Sequence, residues 1–414
     1  MAKVLTIVGA SARAAAFSAR AAGFEPWCAD LFADVDLQAV STVERVDDYP
    51  QGLPELLHAS PAEPWMYTGA LENHPDLIDE LARLRPLYGN DGGALRRARD
   101  PILWSRALAE LGLPAPRASL SALELPRNGS WMRKPLRSAN GQGVSLWTAE
   151  VAARASRADP DHWYFQERIA GIPIAAIFVA AEGEAAILGV TQQLVGGDWA
   201  AALSVIAGEN DLHRPCENRA ATNFSDAPFR YTGSLGPLVL EDQHYRTIKR
   251  IGSALARECG LVGLFGVDAI LNAQNVWPVE INPRYTASIE VLERASAVRT
   301  QTRRPHRLLS IEWHEAACCF QQLPPPLGQS AETTAGKLIY YARRDGLFSR
   351  AAAQWAVERN LAQSRPTVAD IPAAGTPFRQ GQPVLTLLAD GPSAASVCAE
   401  LSRAAEELET ELTT

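Results

Sequence analysis

No apolar run in this chain reaches the 18 residues that a membrane-spanning helix needs. The opening run before Gly9 is too short for a signal peptide, so a cytoplasmic protein is expected. Basic excess is also missing: the net charge of −8 argues against nucleic-acid binding, and Arg303-Arg304-Pro305-His306-Arg307 is the single basic cluster. The six cysteines (Cys28, Cys216, Cys259, Cys318, Cys319, Cys398) form no C-x-x-C pair and no zinc spacing. Reduced thiols are expected, with Cys318 and Cys319 as core of an apolar, helix-like stretch. The seven histidines show no H-E-x-x-H spacing, and His314-Glu315 reads as helix surface. No Ser-His-Asp or Cys-His constellation is visible, so a covalent nucleophile is not expected. A composition of 47% hydrophobic and 21% charged residues is that of an ordinary globular protein, and the length allows two to four domains.

Chemistry concentrates in one segment. Gly266–Leu271 and Val276–Asn282 read as two short apolar strands of a hairpin, with Ala273-Gln274-Asn275 at the turn. That turn would pair Asn272 with Val276, Ile270 with Pro278 and Asp268 with Glu280. Side chains alternate along a strand, so Asn282 and Arg284 share the face of Glu280. Facing carboxylates with Cβ atoms roughly 4.5–5.5 Å apart repel unless a proton or a cation separates them. Two carboxylates and an amide carbonyl suit magnesium, which leaves positions for phosphate oxygens and water. Asp268, Glu280 and Asn282 are therefore the metal-ligand candidates, with manganese as the alternative ion.

Glu280-Ile281-Asn282-Pro283-Arg284, with Asp268 twelve residues before Glu280, resembles the metal-binding signature of the ATP-grasp ligases. The resemblance implies an ATP-grasp fold of mixed α/β and α+β class. It also implies a Rossmann-like parallel domain at the N-terminus and a small β-rich domain at the C-terminus. On that reading the boundaries fall at 1–93, 94–328 and 329–414.

The chain's punctuation fits this plan. Lys3–Val8, Gly9-Ala10-Ser11-Ala12-Arg13, an Ala-rich helix and a strand ending at Asp30 make strand, turn, helix, strand. A dinucleotide site would want three glycines in that turn and finds one, which disfavours a dehydrogenase. Ala94–Leu111 is helical and stops at Gly112-Leu113-Pro114, and Pro324-Pro325-Pro326 marks a linker. Beyond it come short strands and a closing helix over Ser393–Leu412.

Trp131–Pro135 and Val144–Trp147 read as strands around a loop holding Arg137, Gly141 and Gly143. Backbone N–H groups in such a loop can approach phosphates, and Lys134 adds a positive charge at its mouth. A Gly-Lys-Ser/Thr sequence and a following helix are absent, so this is not a Walker loop. The segment resembles the ATP-grasp phosphate loop, which implies Lys134 on the α- and β-phosphates. Trp163–Gly171 resembles the hinge between the two ATP-holding lobes, where Gln166 or Glu167 and the backbone of Arg168 and Ile169 would take the adenine edge. Two positions depart from the family pattern. Pro173 and Ile174 stand where a ribose-binding acid is usual, and Arg99-Asp100-Pro101 stands where the first phosphate lysine is expected, with Arg99 or Arg97 as substitutes.

The resemblance implies an ATP-dependent carboxylate–amine ligase (a carbon–nitrogen bond-forming enzyme) that works through an acyl phosphate, with Arg284 and Lys134 catalytic. Small-molecule carboxylates and amines are its expected partners, without nucleic acid or membrane, and a homodimer is compatible. Within the superfamily the chain is most similar to predicted ligases of the tyramine–glutamate type linked to tetrahydromethanopterin metabolism. The alternatives are a carboxylase of the biotin or carboxyaminoimidazole type and a nucleotide-binding protein without catalysis.

Overall fold

The computed structural model describes residues 3–61, 64–154, 162–196, 199–200, 202–203, 227–296, 308–326, 328–329, 332–363 and 365–413. The Arg303–Arg307 cluster and Cys216 lie outside these residues.

Strand β1 (Lys3–Gly9) pairs in parallel with β2 (Phe24–Asp30) and β4 (Trp65–Tyr67), and β2 with β3 (Thr42–Arg45), in the order β3-β2-β1-β4. Helix Arg13–Ala21 connects β1 to β2 and packs Ala15, Ala16 and Ala19 inward, so small side chains let it approach the sheet closely. Ligands of such sheets collect at the carboxyl ends of the strands. At that end Asp30 is already engaged: its carboxylate accepts from the backbone N–H groups of Ala12, Phe32 and Ala33 at 2.6–2.8 Å. Asp30 therefore ties down the turn after β1 instead of awaiting a ribose.

The largest layer is an antiparallel sheet of eight strands. It contains β9 (Ile172–Ala181), β10 (Glu184–Val195), β11 (Tyr231–Gly236), β12 (Gly263–Leu271) and β13 (Val276–Asn282). It continues through β14 (Thr334–Tyr341) and β18 (Pro383–Gly391) to β16 (Val368–Ala369), in the order β13-β12-β9-β10-β11-β14-β18-β16. Helix Asp242–Cys259 covers one face with Ile248, Ile251 and Leu255, and helix Ser310–Phe320 closes β9 and β12 from the other. A smaller antiparallel sheet holds β5 (Ala118–Ser119), β6 (Asn128–Pro135), β7 (Ser145–Thr148) and β8 (Trp163–Glu167) in the order β5-β8-β6-β7.

Several local expectations change. The helical stretch 94–111 is two helices, Gly92–Ala98 and Pro101–Glu110, because Asp100 caps the second and Pro101 starts it. The C-terminal segment carries helix Arg350–Leu361 besides the closing helix Ala394–Thr413, and β14 of this segment pairs directly with β11. That segment is thus mixed α/β and continues the main sheet. His314 is not on a helix surface. It is buried, its Nδ1 accepts from the Leu264 N–H at 2.9 Å, and its Nε2 lies 3.2 Å from the Tyr88 carbonyl. Burial pushes its pKa down to about 4, so the ring is neutral and belongs to the core. Cys319, expected inside, is exposed, and Cys318 is half-buried. Among the described residues, no helix is long and apolar enough to cross a membrane.

One buried ion cluster joins the N-terminal, central and C-terminal segments. Arg13 reaches Glu290 of helix Ala287–Ser296, Asp370 after β16, and Asp36. Lys337 of β14 meets the second oxygen of Glu290 at 2.8 Å. Burial alone would raise Glu290, but Arg13 and Lys337 outweigh it and lower its pKa to about 2. Arg13 of the Gly-Ala-Ser-x-Arg segment is therefore a structural pin.

Candidate active site

The site forms where β6 and β8 of the smaller sheet face the hairpin β12–β13, with the turn Leu71–Asn73 of the N-terminal segment beside them. Asp268 pairs with Glu280, as the sequence suggests, but the register slips by one residue immediately afterwards: Ala269, not Ile270, opposes Pro278. Val279 is the extra residue of this β-bulge. A bulge leaves backbone groups outside the ladder. The Val279 carbonyl uses that freedom to accept from Lys134 Nζ at 3.4 Å and Gln166 Nε2 at 3.3 Å. The turn is also longer than expected, with Asn272 N–H bonded to the Asn275 carbonyl and Asn272 Oδ1 accepting from Gln274 and Asn275.

Asp268 is pushed up, first by burial and then by the Glu280 charge; donation from Gln193 and Asn282 offsets part of this. Glu280 is more open and accepts from Arg99 at 2.7 Å. Such a pair is a deficit of positive charge in a confined space, and the donor chemistry fits a divalent hard cation. The candidate set has only two carboxylates: among the described residues, no group of three or more His, Cys, Asp or Glu side chains gathers as a metal site. Two carboxylates and an amide match an ion that completes its shell with phosphate and water.

Arg284 lies past the end of β13. Its N–H turns back to the Asn282 carbonyl at 2.8 Å, which sends the guanidinium to Asn282 Oδ1 (3.2 Å) and to Glu72 Oε1 (2.7 Å). Glu72 is 2% exposed; burial opposes its charge, but Arg284 prevails and keeps its pKa below the usual range. Three buried atoms around this pair, Glu72 Oε2, Arg284 Nε and the Tyr49 hydroxyl, have no hydrogen-bond partner. Burial raises the pKa of Tyr49, and its hydroxyl feels the charges of Glu72, Arg284 and Asp30.

On the other wall, Lys134 Nζ donates to Gln166 Oε1 at 2.6 Å. Its burial lowers its pKa, while Glu280 and Asp268 pull it back up. Gln166 is thus buried against Lys134 and β13. Glu167 is held by Arg117 through two guanidinium contacts at 3.1 and 3.2 Å, and its N–H donates to the Arg117 carbonyl. The Arg168 N–H donates to the Ser130 carbonyl at 3.0 Å. Ile169 follows in the link to β9.

Arg137, Gly141 and Gly143 sit on the loop between β6 and β7. Arg137 is exposed and close enough to lower the pKa of His74, after the larger effect of burial. Gly141 and Gly143 both have left-handed backbones, with φ of +72° and +79°. A Cβ on Gly141 would lie 2.0 Å from the Phe229 carbonyl oxygen, so only glycine lets the loop rest there. Arg97, one candidate for the missing lysine, points elsewhere and donates to the Cys259 carbonyl at 2.9 Å. Arg99 faces the site.

Sequence reasoning missed Glu72 and Asn73. The available signal was an acid just past a parallel strand, where α/β sheets hold ligands. It is a weak one, because the segment between β4 and the next helix looks like any polar loop.

Residues 98–288 match the family model for the ATP-grasp domain. That segment is similar to an ATP-grasp domain, and the overall architecture is the ATP-grasp fold. No curated protein matches the sequence. Solved structures do. An ADP complex of N5-carboxyaminoimidazole ribonucleotide synthetase aligns over 100% of this chain and 98% of its own, with a TM-score of 0.63 and 14% identity. A biotin carboxylase–ATP analogue complex from Campylobacter jejuni aligns over 99% and 94%, with a TM-score of 0.66 and 12% identity. An L-amino acid ligase from Bacillus licheniformis aligns over 99% and 97%, with a TM-score of 0.61 and 14% identity. At these identities the likeness establishes the fold.

Proposed function

We propose that the chain is an ATP-dependent carboxylate–amine ligase. The observation that carries this reading is the Asp268–Glu280 pair on neighbouring strands, opposite Lys134 and beside Arg284. Asp268, Glu280 and Asn282 would hold magnesium. Bound there, the ion would offset negative charge on the phosphoryl group in transfer.

The chain's own groups divide the remaining work. Lys134 lies between the two sheets and would turn from Gln166 toward the α- and β-phosphates. The loop with Arg137, Gly141 and Gly143 would cover the phosphates with backbone N–H groups. Gln166 and the Glu167 and Arg168 N–H groups are already engaged, so the adenine edge would fall to the carbonyls of Glu167 and Arg168 and the N–H of Ile169. A substrate carboxylate oxygen attacks the γ-phosphorus and breaks its bond to the ADP oxygen, giving an acyl phosphate. Arg284 would steady that carboxylate and then the acyl phosphate. An amine next attacks the acyl carbon, loses a proton and expels phosphate. The unpartnered atoms of Glu72, Arg284 and Tyr49 are natural contacts for the acceptor.

The narrower reading, a ligase of the tyramine–glutamate type in tetrahydromethanopterin-linked metabolism, rests on the N-terminal Gly-Ala-Ser-x-Arg segment, the metal strands and the C-terminal β module. A carboxylase that activates bicarbonate is the second reading, and it shares the same fold. ADP release measured against a panel of amino acids, other carboxylates, amines and bicarbonate separates them. Turnover needing both a carboxylate and an amine supports the ligase, bicarbonate-dependent turnover supports the carboxylase, and nucleotide binding without any turnover contradicts both.

The loop supplies a separate prediction. Gly141→Ala should raise the ATP KM about tenfold or more, because the left-handed backbone and the Phe229 carbonyl both resist a Cβ and the loop must leave its place. Steady-state kinetics checks this. An unaltered KM would make the loop a plain hairpin turn.

A further inference from the structure

Among the described residues, Arg99 is the one arginine that touches a metal-ligand candidate, the phosphate loop and the acceptor side of the site together. Its Nη1 donates to Glu280 Oε1 at 2.7 Å. Its Nη2 reaches Asn73 Oδ1 at 3.0 Å and the carbonyls of Leu136 and Ser138, each at 3.2 Å. Asn73 closes the figure by donating from Nδ2 to the same Ser138 carbonyl at 3.2 Å. The position is fixed from behind: Asp100 caps the next helix and Pro101 begins it, so Arg99 occupies a short, stiff joint between two helices.

We infer that Arg99 is a latch that competes with the metal for Glu280 and clamps the 136–144 loop onto Asn73. The inference rests on the reading of Asp268 and Glu280 as metal ligands. A guanidinium and a divalent cation compete for the same carboxylate oxygen, so a metal alone meets an occupied ligand. Phosphate changes the balance, because a guanidinium leaving Glu280 then has a second anion within reach. Arg99 thus couples metal entry to nucleotide entry. Asn73 carries that state to the turn Leu71–Asn73, whose Glu72 holds Arg284. Lysine would be a poor substitute: it offers charge without the planar fork that spans Glu280, Asn73 and two carbonyls.

The test uses the full chain, Mn²⁺ detected by electron paramagnetic resonance, and hydrogen exchange of residues 136–144, all without nucleotide or acceptor. Arg99→Met should bind Mn²⁺ about tenfold more tightly than the wild type, the worth of one charge-assisted hydrogen bond, and its loop should exchange faster. Arg99→Lys should keep Mn²⁺ affinity nearer to the wild type yet lose the loop protection. Asn73→Ala should likewise loosen the loop with little change in Mn²⁺ affinity, which keeps the idea testable if Arg99→Met folds poorly. Equal Mn²⁺ affinity and equal loop exchange in the variants and the wild type would overturn the latch. Mn²⁺ binding by wild type with ATP is measured alongside. Its presence with unchanged variants sinks the latch alone; its absence sinks the metal reading and the latch with it.

Discussion

Glu280→Gln is expected to lower nucleotide-dependent turnover by about a hundredfold or more while leaving the fold intact. The exchange keeps the size and one carbonyl of Glu280 but removes a unit of charge from the proposed magnesium shell, where a hard cation favours carboxylate. Two opposing changes meet in the apo protein. Asp268 loses a repelling neighbour, and Arg99 loses its charged acceptor. Glu280 is partly open to solvent, so both effects are screened and the melting temperature should move little. Asp268→Asn should act alike, and the double variant should lose less than the sum of the single losses, as two ligands of one ion must. Near-normal turnover in Glu280→Gln with a collapsed melting temperature would make the residue structural.

The second large effect is on stability. Arg13→Met leaves Glu290, Asp370 and Asp36 buried with Lys337 as the remaining cation among the groups that hold them. Removing one member of a buried ion cluster costs about 3–5 kcal/mol, because the surviving charges lose their compensation. The pH dependence identifies the cause. In the wild type Glu290 titrates at about 2, below its ordinary 4.5, so its stabilising contribution is full above about 4.5 and is lost as pH falls through 2. Without Arg13, burial dominates and the same carboxylates take up protons more readily. The stability gap between variant and wild type should therefore be widest near pH 7 and narrow toward pH 4. Chemical denaturation at both pH values measures it. A gap that is constant with pH would assign the loss to packing instead of charge.

The parts of this protein legible in the sequence are those that depend on local order. The Asp268–Glu280 pairing follows from apolar alternation on two strands a short turn apart, and the parallel opening from strand, glycine and Ala-rich helix. Alternation does not reveal a bulge. Val279 interrupts the ladder after Asp268, and its freed carbonyl is what seats Lys134 and Gln166. Gln166 reads from sequence as an open adenine contact because a strand ends there; its burial comes from β13, which lies over a hundred residues further on. Arg284 reads as a continuation of the strand face, whereas the turn at Pro283 sends it toward Glu72, 212 residues earlier in the chain. Glu72 and Asn73 carry no motif in the sequence, and Arg99 is marked only by standing where a phosphate lysine is expected. Their significance arises when the N-terminal segment docks beside the hairpin, and no single segment encodes that meeting.

The central claim is that nucleotide and magnesium bind together between the small sheet and the β12–β13 hairpin. Isothermal calorimetry of the full chain with ATP, with and without magnesium, tests it most directly. The account predicts magnesium-dependent binding at or below millimolar concentration, strongly weakened in Glu280→Gln. Heat that is absent at millimolar nucleotide, or that is indifferent to magnesium and to Glu280, would contradict it.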